Sequence, residues 1–103
     1  MKKGILLHEA ADDVGVAVMD LKAGEEIAVV TLEGAPVKEI KLVNDVPLGH
    51  KVAMRDLTPD MAVVEYGRTI GAASAAIAAG EHVHVHNLKS LRWAASDTNL
   101  LEK

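Results

Sequence analysis

Apolar residues along the chain come in short runs separated by polar, glycine-containing corners. Residues 5–7, 14–19 and 27–32 are such runs, and Ile40 and Leu42 alternate with polar neighbours. Runs of this length, rich in valine and isoleucine, are typical of strands joined by turns. The pattern predicts a mainly β single domain of short strands.

A weak internal repeat runs through these strands: each copy has a strand, an apolar anchor and, three positions later, a small or polar corner. The anchors and corners are Leu21 and Gly24, Leu57 and Asp60, and Ile77 and Gly80. Repeats of this kind indicate similar units that share a core. The alanines of residues 71–80 favour helix, whereas the repeat places a turn there. We therefore expect at most one or two short helical turns in this segment.

The most distinctive stretch is residues 80–87, in which His82, His84 and His86 alternate with Val83 and Val85. In a strand the two valines share one face and the three imidazoles share the other, so packed valines would turn the histidines outward. Strand rise places His82 about 13 Å from His86 but neighbouring histidines only about 6.6 Å apart.

A histidine pair from this strand could bind a metal ion only with a third ligand from elsewhere. We consider His84 and His86 as metal candidates on that condition, with His50, His8 or Asp13 as the third ligand. The alternative is an exposed strand face, or histidines that form hydrogen bonds at a subunit interface.

Composition narrows the function further. The chain has 103 residues, no cysteine, one tryptophan, one tyrosine, no phenylalanine and a net charge of -4. This excludes disulfides and thiolate ligands, and it disfavours nucleic-acid binding, which uses basic patches and stacking aromatics. No segment approaches the roughly 20 apolar residues of a membrane span, and we expect a cytoplasmic protein.

Two further positions could bind a ligand. His50 and Lys51 follow a Pro-x-Gly turn, where a cation and an imidazole would suit an anionic ligand, although a solvated turn is the alternative. Tyr66 could donate a hydrogen bond or simply pack at a strand end. Asp12 is interpreted as a turn residue. No phosphate-binding loop or nucleophile motif occurs, so a module that supplies part of a site to a partner is favoured over a self-contained enzyme.

Taken together, four motifs resemble the small SAF-type domain of the altronate and galactarate dehydratase family. They are DVGVA at 13–17, VPLGHKVA at 46–53, EYG at 65–67 with IG at 70–71, and GEHVHVHN at 80–87. The likeness extends to residue 93, and we interpret residues 1–93 as the domain and 94–103 as a C-terminal tail. The residues around His8 and those from Asn87 to Trp93 are most similar to the sulfolactate sulfo-lyase members.

The resemblance implies a β-clip fold and the role of small subunit in a two-subunit lyase. Such an enzyme carries out α,β-elimination on a small anionic hydroxy acid, releasing sulfite from sulfolactate or water from a sugar acid such as altronate or galactarate. The resemblance also implies a large catalytic partner subunit that holds most of any iron cofactor. It leaves homo-oligomerisation open. The residues that match the family positions are Asp13, His50, Lys51, Tyr66, His84, His86 and Asn87.

Two departures from the family pattern, the consecutive Asp12 and Asp13 and the acid at Glu65 where lysine is common, leave the substrate open. The competing function class is a non-catalytic SAF-type module that binds a ligand or a protein.

Overall fold

The computed structural model describes residues 1–90, in which all regular secondary structure is β-strand. In this part of the chain the strands are β1 (Lys3–Leu7), β2 (Val14–Ala17), β3 (Glu26–Thr31), β4 (Pro36–Lys41), β5 (Lys51–Ala53), β6 (Ala62–Glu65), β7 (Arg68–Ala73), β8 (His82–Val83) and β9 (Leu88–Ser90). The predicted mainly β class is confirmed. Trp93 and the proposed tail lie outside the described residues. None of the described residues belongs to a helix long and apolar enough to cross a membrane.

The strands form two sheets. The larger has the order β4-β3-β1-β2-β5-β8, in which only β1 and β3 run parallel, and the smaller has the order β6-β7-β9. One core cluster packs around Ile5, Ile27 and Met54, and a second packs around Val14 and Val83. Strands β2 and β5 contribute to both clusters, because alternate residues of a strand point to opposite faces.

The internal repeat organises the fold, and the structure adds a copy that the sequence analysis missed. The anchors pair in isolated antiparallel bridges, Leu21 with Val46 and Leu57 with Ile77. Each anchor is followed three positions later by a residue with positive φ: Gly24 (88°), Gly49 (86°), Asp60 (68°) and Gly80 (88°). The unrecognised copy is the one built on Val46 and Gly49.

Aspartates lock the paired units together. The residue before three of the anchors is an aspartate whose Oδ1 accepts a backbone N–H from the partner unit. These bonds run from Leu48 to Asp20 (2.9 Å), from Ala23 to Asp45 (2.8 Å) and from Ala79 to Asp56 (2.9 Å). The fourth position is Ala76, and the residue that would donate to it is Pro59, which has no N–H. An acceptor is therefore missing only where the donor is missing too.

The alanine-rich segment 71–80 contains no helical turn. It forms the end of β7, the bridge at Ile77 and the corner at Gly80. Tertiary pairing overrides the helix propensity of alanine here. Glycine is required at this corner, because a Cβ on Gly80 would collide with the carbonyl oxygen of Lys41.

The predicted strand over residues 80–87 is wrong in its second half. Strand β8 ends at Val83, and the chain turns, with the N–H groups of Asn87 and Leu88 donating to the carbonyl of His84 at 3.0 and 2.9 Å. Val83 is fully buried, but Val85 is 82% exposed. The two valines therefore do not share a core face, and the histidines do not follow strand alternation.

Candidate functional site

Imidazoles from two distant turns meet at one end of the larger sheet. His50 follows the Gly49 corner and directly precedes β5, His82 lies in β8, and His84 follows that strand. Strand β8 pairs with β5, which brings the two segments side by side. His50 Nδ1 lies 2.9 Å from His82 Nε2, and the His50 and His84 rings stack with centroids 4.5 Å apart. The ligand atoms of these three residues all lie within 4.8 Å of one another.

The side chain of Asn87 holds the backbone of this cluster. Its Oδ1 accepts the N–H of His84 at 2.9 Å, and its Nδ2 donates to the carbonyl of His82 at 2.9 Å. The N–H of His82 in turn donates to Asn44 Oδ1 at 3.0 Å. Asn87 is only 4% exposed. The amide groups thus fix the positions of the histidines without using imidazole nitrogens.

The environment favours the neutral form of His82. Burial lowers the pKa of His82, and positive charge on His50, His86 or His84 would lower it further. A neutral imidazole offers a lone pair to a metal ion or to a donor, whereas a protonated one does not. The His86 ring is tilted by 45° to the His82 ring at a centroid distance of 5.4 Å, but His86 is not a member of the three-residue group.

Lys51 and Glu65 form a second polar pair near these turns. Lys51 Nζ lies 3.8 Å from Glu65 Oε1, and the carboxyl group is nearly buried. Burial raises the pKa of Glu65, and the positive charge of Lys51 opposes that rise only in part. The pair is half open to solvent on the lysine side, so an anion could approach the ammonium group.

Asp13 and Asp12 are embedded in a network that ties β2 to the hairpin of β6 and β7. Asp13 Oδ2 accepts the N–H of Val64 at 2.8 Å, and Asp13 Oδ1 lies 3.3 Å from Arg55 Nε. Asp12 accepts three N–H groups, from Glu9, Tyr66 and Gly67, at 2.9 to 3.1 Å. The turn role predicted for Asp12 is confirmed. The ligand-binding role of Asp13 stays a prediction, and its carboxylate is engaged by the fold.

Tyr66 lies in the turn between β6 and β7 with a φ of 59°. Its ring is 51% exposed and contacts His8 edge-on at 4.6 Å between centroids. Gly67 also has a positive φ, as expected of the two central residues of a two-residue hairpin turn. The phenol is available to a ligand.

The structure thus brings His50 together with His84 and places Asn87 against the backbone of the same cluster, whereas Lys51, Tyr66 and Asp13 have separate contacts. Two residues at these contacts are not among those predicted from the sequence: His82, and Glu65, which the sequence marks only as a departure from the family pattern. The alternation of histidines includes His82, but a straight strand places His82, His84 and His86 on one face and does not distinguish His82 from the other two. No sequence signal distinguished the buried acid Glu65 from an exposed one.

The two-sheet β domain presents imidazoles and a phenol at or beside its turns, where side chains can reach a ligand or a partner. The model of the altronate/galactarate dehydratase SAF domain matches residues 2–91. The chain belongs to this family, as the sequence motifs predicted.

Relatives with established names fall into two kinds. The chain is 37% identical over 94 residues to the (2R)-sulfolactate sulfo-lyase subunit alpha of Chromohalobacter salexigens, covering 90% of this chain and all of that protein. It is 43% identical over 49 residues to the subunit of the same name from Paracoccus pantotrophus, covering 48% of this chain and 73% of that protein. It is 42% identical over 86 residues to altronate dehydratase of Escherichia coli, covering 84% of this chain but 16% of that enzyme.

Proposed function

We propose that this chain is the small subunit of a two-subunit lyase that carries out α,β-elimination on an anionic hydroxy acid. The observation that carries the proposal is the match along the full length of a sulfo-lyase subunit alpha. Release of sulfite from sulfolactate is the favoured reaction, and loss of water from a sugar acid such as altronate or galactarate is the second candidate. The proposed location is the cytoplasm.

Three bonds change in the elimination of sulfite from sulfolactate. The C–H bond at the carbon that carries the hydroxyl breaks, the C–S bond at the next carbon breaks, and a C=C bond forms with sulfite as the leaving group. The substrate is a dianion, so cationic and hydrogen-bonding groups must hold it, while a base takes the proton. Hydrogen-bonding groups that are fixed before binding supply most of the stabilisation.

The side chains of this subunit suit the binding of an anionic substrate. Lys51, which pairs with Glu65, offers a partly exposed ammonium group to the anion, and the stacked rings of His50 and His84 offer ring nitrogens. His86 and the phenol of Tyr66 are exposed. We assign these residues to substrate binding together with Asn87, which holds the backbone of His84, and with Asp13, whose carboxylate also accepts the N–H of Val64.

A large partner subunit completes the site in this proposal. It supplies the base and holds most of any iron, which would act as a Lewis acid toward the hydroxy acid when bound. The subunit designation of the relatives supports a partner. The imidazole nitrogens of this chain are donors that suit iron(II) and similar ions.

Coexpression tests the proposal. The neighbouring reading frames are searched for a dehydratase-type chain, which is then produced together with this one, and the purified complex is assayed for sulfite release from sulfolactate and for dehydration of altronate and galactarate. Activity only when both chains are present supports the proposal. A stable complex without either activity favours a non-catalytic binding module, and the absence of any such neighbouring gene contradicts the two-subunit assignment.

Site variants then test the role of this chain within the complex. Lys51→Ala and His86→Ala should each lower kcat/KM by about tenfold or more, since each removes a group assigned to the substrate. Lys22→Ala is the matched control, because Lys22 is an exposed lysine paired with Asp45 at 3.9 Å in a different corner of the fold. An unchanged kcat/KM in both site variants would refute the binding assignment.

A further inference from the structure

We infer that His50, His82 and His84 form a binding site for one borderline divalent metal ion, of the zinc, cobalt or iron(II) type, and that this chain binds the ion by itself. The inference goes beyond the proposed function, because it concerns the isolated chain and holds whether or not a lyase complex forms. Of the ligands considered from the sequence it keeps His84 and His50, and it has His82 in place of His86.

The geometry is close to that of a three-histidine site. Zinc–nitrogen bonds of about 2.0–2.1 Å in a tetrahedral arrangement place ligand nitrogens about 3.3 Å apart. One pair in this cluster is at 2.9 Å, and all three residues offer a ligand atom within 4.8 Å of the others. The near-parallel rings would have to turn about χ2, a torsion with broad energy wells in histidine. Binding the ion therefore requires ring rotation about torsions that turn at low cost.

The donor set selects the kind of ion. All three ligand atoms are imidazole nitrogens, and among the described residues no carboxylate joins the group. Nitrogen donors favour zinc, copper, nickel, cobalt and iron over magnesium and calcium, which require oxygen ligands. Three protein ligands also leave a coordination position open to a fourth, exogenous ligand. His84 is exposed, so this open position can face solvent.

The surroundings hold the ligands in place before the ion arrives. Asn87 binds the backbone on both sides of Val83, Asn44 binds the N–H of His82, and β5 pairs with β8 through Val52 and His82. Support of this kind from residues around the ligands commonly changes metal affinity by about 10–100-fold when it is removed. His50 and His82 are 32 positions apart in the sequence, and folding of the domain already brings them together, so the ion does not have to supply that loss of conformational entropy.

Metal titration of the full-length, tag-free chain tests the inference. After removal of metals with EDTA, Zn²⁺ binding is measured by calorimetry, and Co²⁺ binding is followed by the visible absorption of its d–d bands. We expect one ion per chain. His50→Gln, His82→Gln and His84→Gln should each weaken Zn²⁺ binding by about tenfold or more, and His8→Gln, which removes a histidine outside the cluster, should leave it unchanged.

Circular dichroism checks that each variant is folded, and the exposed His84 provides a variant in which unfolding is not a concern. Equal affinity in the wild-type chain and His84→Gln would overturn the inference, as would a loss in His8→Gln as large as in the cluster variants. An ion that requires His86 but not His50 would also overturn it. Binding of sulfate or phosphate with no binding of Zn²⁺ would instead assign the cluster to anions and refute the metal site.

Discussion

Replacement of Asn87 by alanine should destabilise the domain more than any change at an exposed imidazole. The substitution removes two side-chain hydrogen bonds, to the N–H of His84 and to the carbonyl of His82, but retains the main-chain bonds of residue 87. Each lost bond costs about 1 kcal/mol net, and the buried partner left unsatisfied adds to that cost. We expect a loss of about 2–3 kcal/mol in the free energy of unfolding.

Urea unfolding followed by far-UV circular dichroism measures this loss. The midpoint should fall while the m value stays constant, because the area exposed on unfolding hardly changes. For a domain of this size the loss corresponds to about 10–20 °C in Tm. Asn44→Ala is the control: it removes a single bond, to the N–H of His82, and should cost about 1 kcal/mol.

A second variant separates the two ends of the Asn87 amide. Asn87→Asp keeps the acceptor for His84 but places a carboxylate oxygen against the carbonyl oxygen of His82, so it should be no more stable than Asn87→Ala at neutral pH. If Asn87→Ala costs no more than Asn44→Ala, the amide does not hold the cluster and the reasoning is wrong. If Asn87→Asp matches the wild type, the bond to His82 is not formed.

Three further predictions concern the rest of the fold. Burial raises the pKa of Glu65 above its ordinary value of 4.5, so the stability that this carboxyl contributes is fully present below that value and is lost as pH rises through the folded-state pKa. The stability of Glu65→Gln relative to the wild type should therefore increase as pH rises above 4.5 in urea titrations. Gly24 and Gly80 share a φ of 88°, but only Gly80 has backbone in the way of a Cβ. Gly24→Ala should thus cost about 1 kcal/mol and Gly80→Ala distinctly more, and equal losses in thermal melts would contradict the collision. Ala76→Asp alone should not stabilise the domain, because Pro59 has no N–H, whereas Ala76→Asp with Pro59→Ala should show favourable coupling of about 0.5–1.5 kcal/mol in a double-mutant cycle.

The sequence predicted the β class and the repeat because both depend on local patterns. Anchors such as Leu21 and Ile77 are apolar residues at fixed distances from corner residues, and these distances survive in the structure. The family was also predictable, since its motifs combine rare residues in a fixed order. The copy around Val46 was missed because its proline and histidine obscured the match with the copy around Leu21.

The site was predictable only in part, because its composition depends on where a strand ends. Alternation of histidines and valines indicates an extended strand, but the amide of Asn87 captures the backbone of His82 and His84 and bends the chain. A side-chain competitor of this kind cannot be recognised from hydrophobic periodicity. The partnership of His50 with His82 depends on the pairing of β5 with β8, which is a long-range contact.

Strand β8 consists of two residues and lies at the edge of the larger sheet, where it has β5 as its neighbour on one side only. Edge strands this short are the first to separate in local opening, and separation here would pull His82 and His84 away from His50. Any ligand that bridges His50 to His82 or His84 therefore stabilises the pairing of β8 with β5. By mass action, a ligand at 100 times its Kd would add about 2.7 kcal/mol to that closed state. Slower hydrogen exchange at the amides of β8 would then report that the site is occupied, even in a complex in which a partner subunit covers the imidazoles.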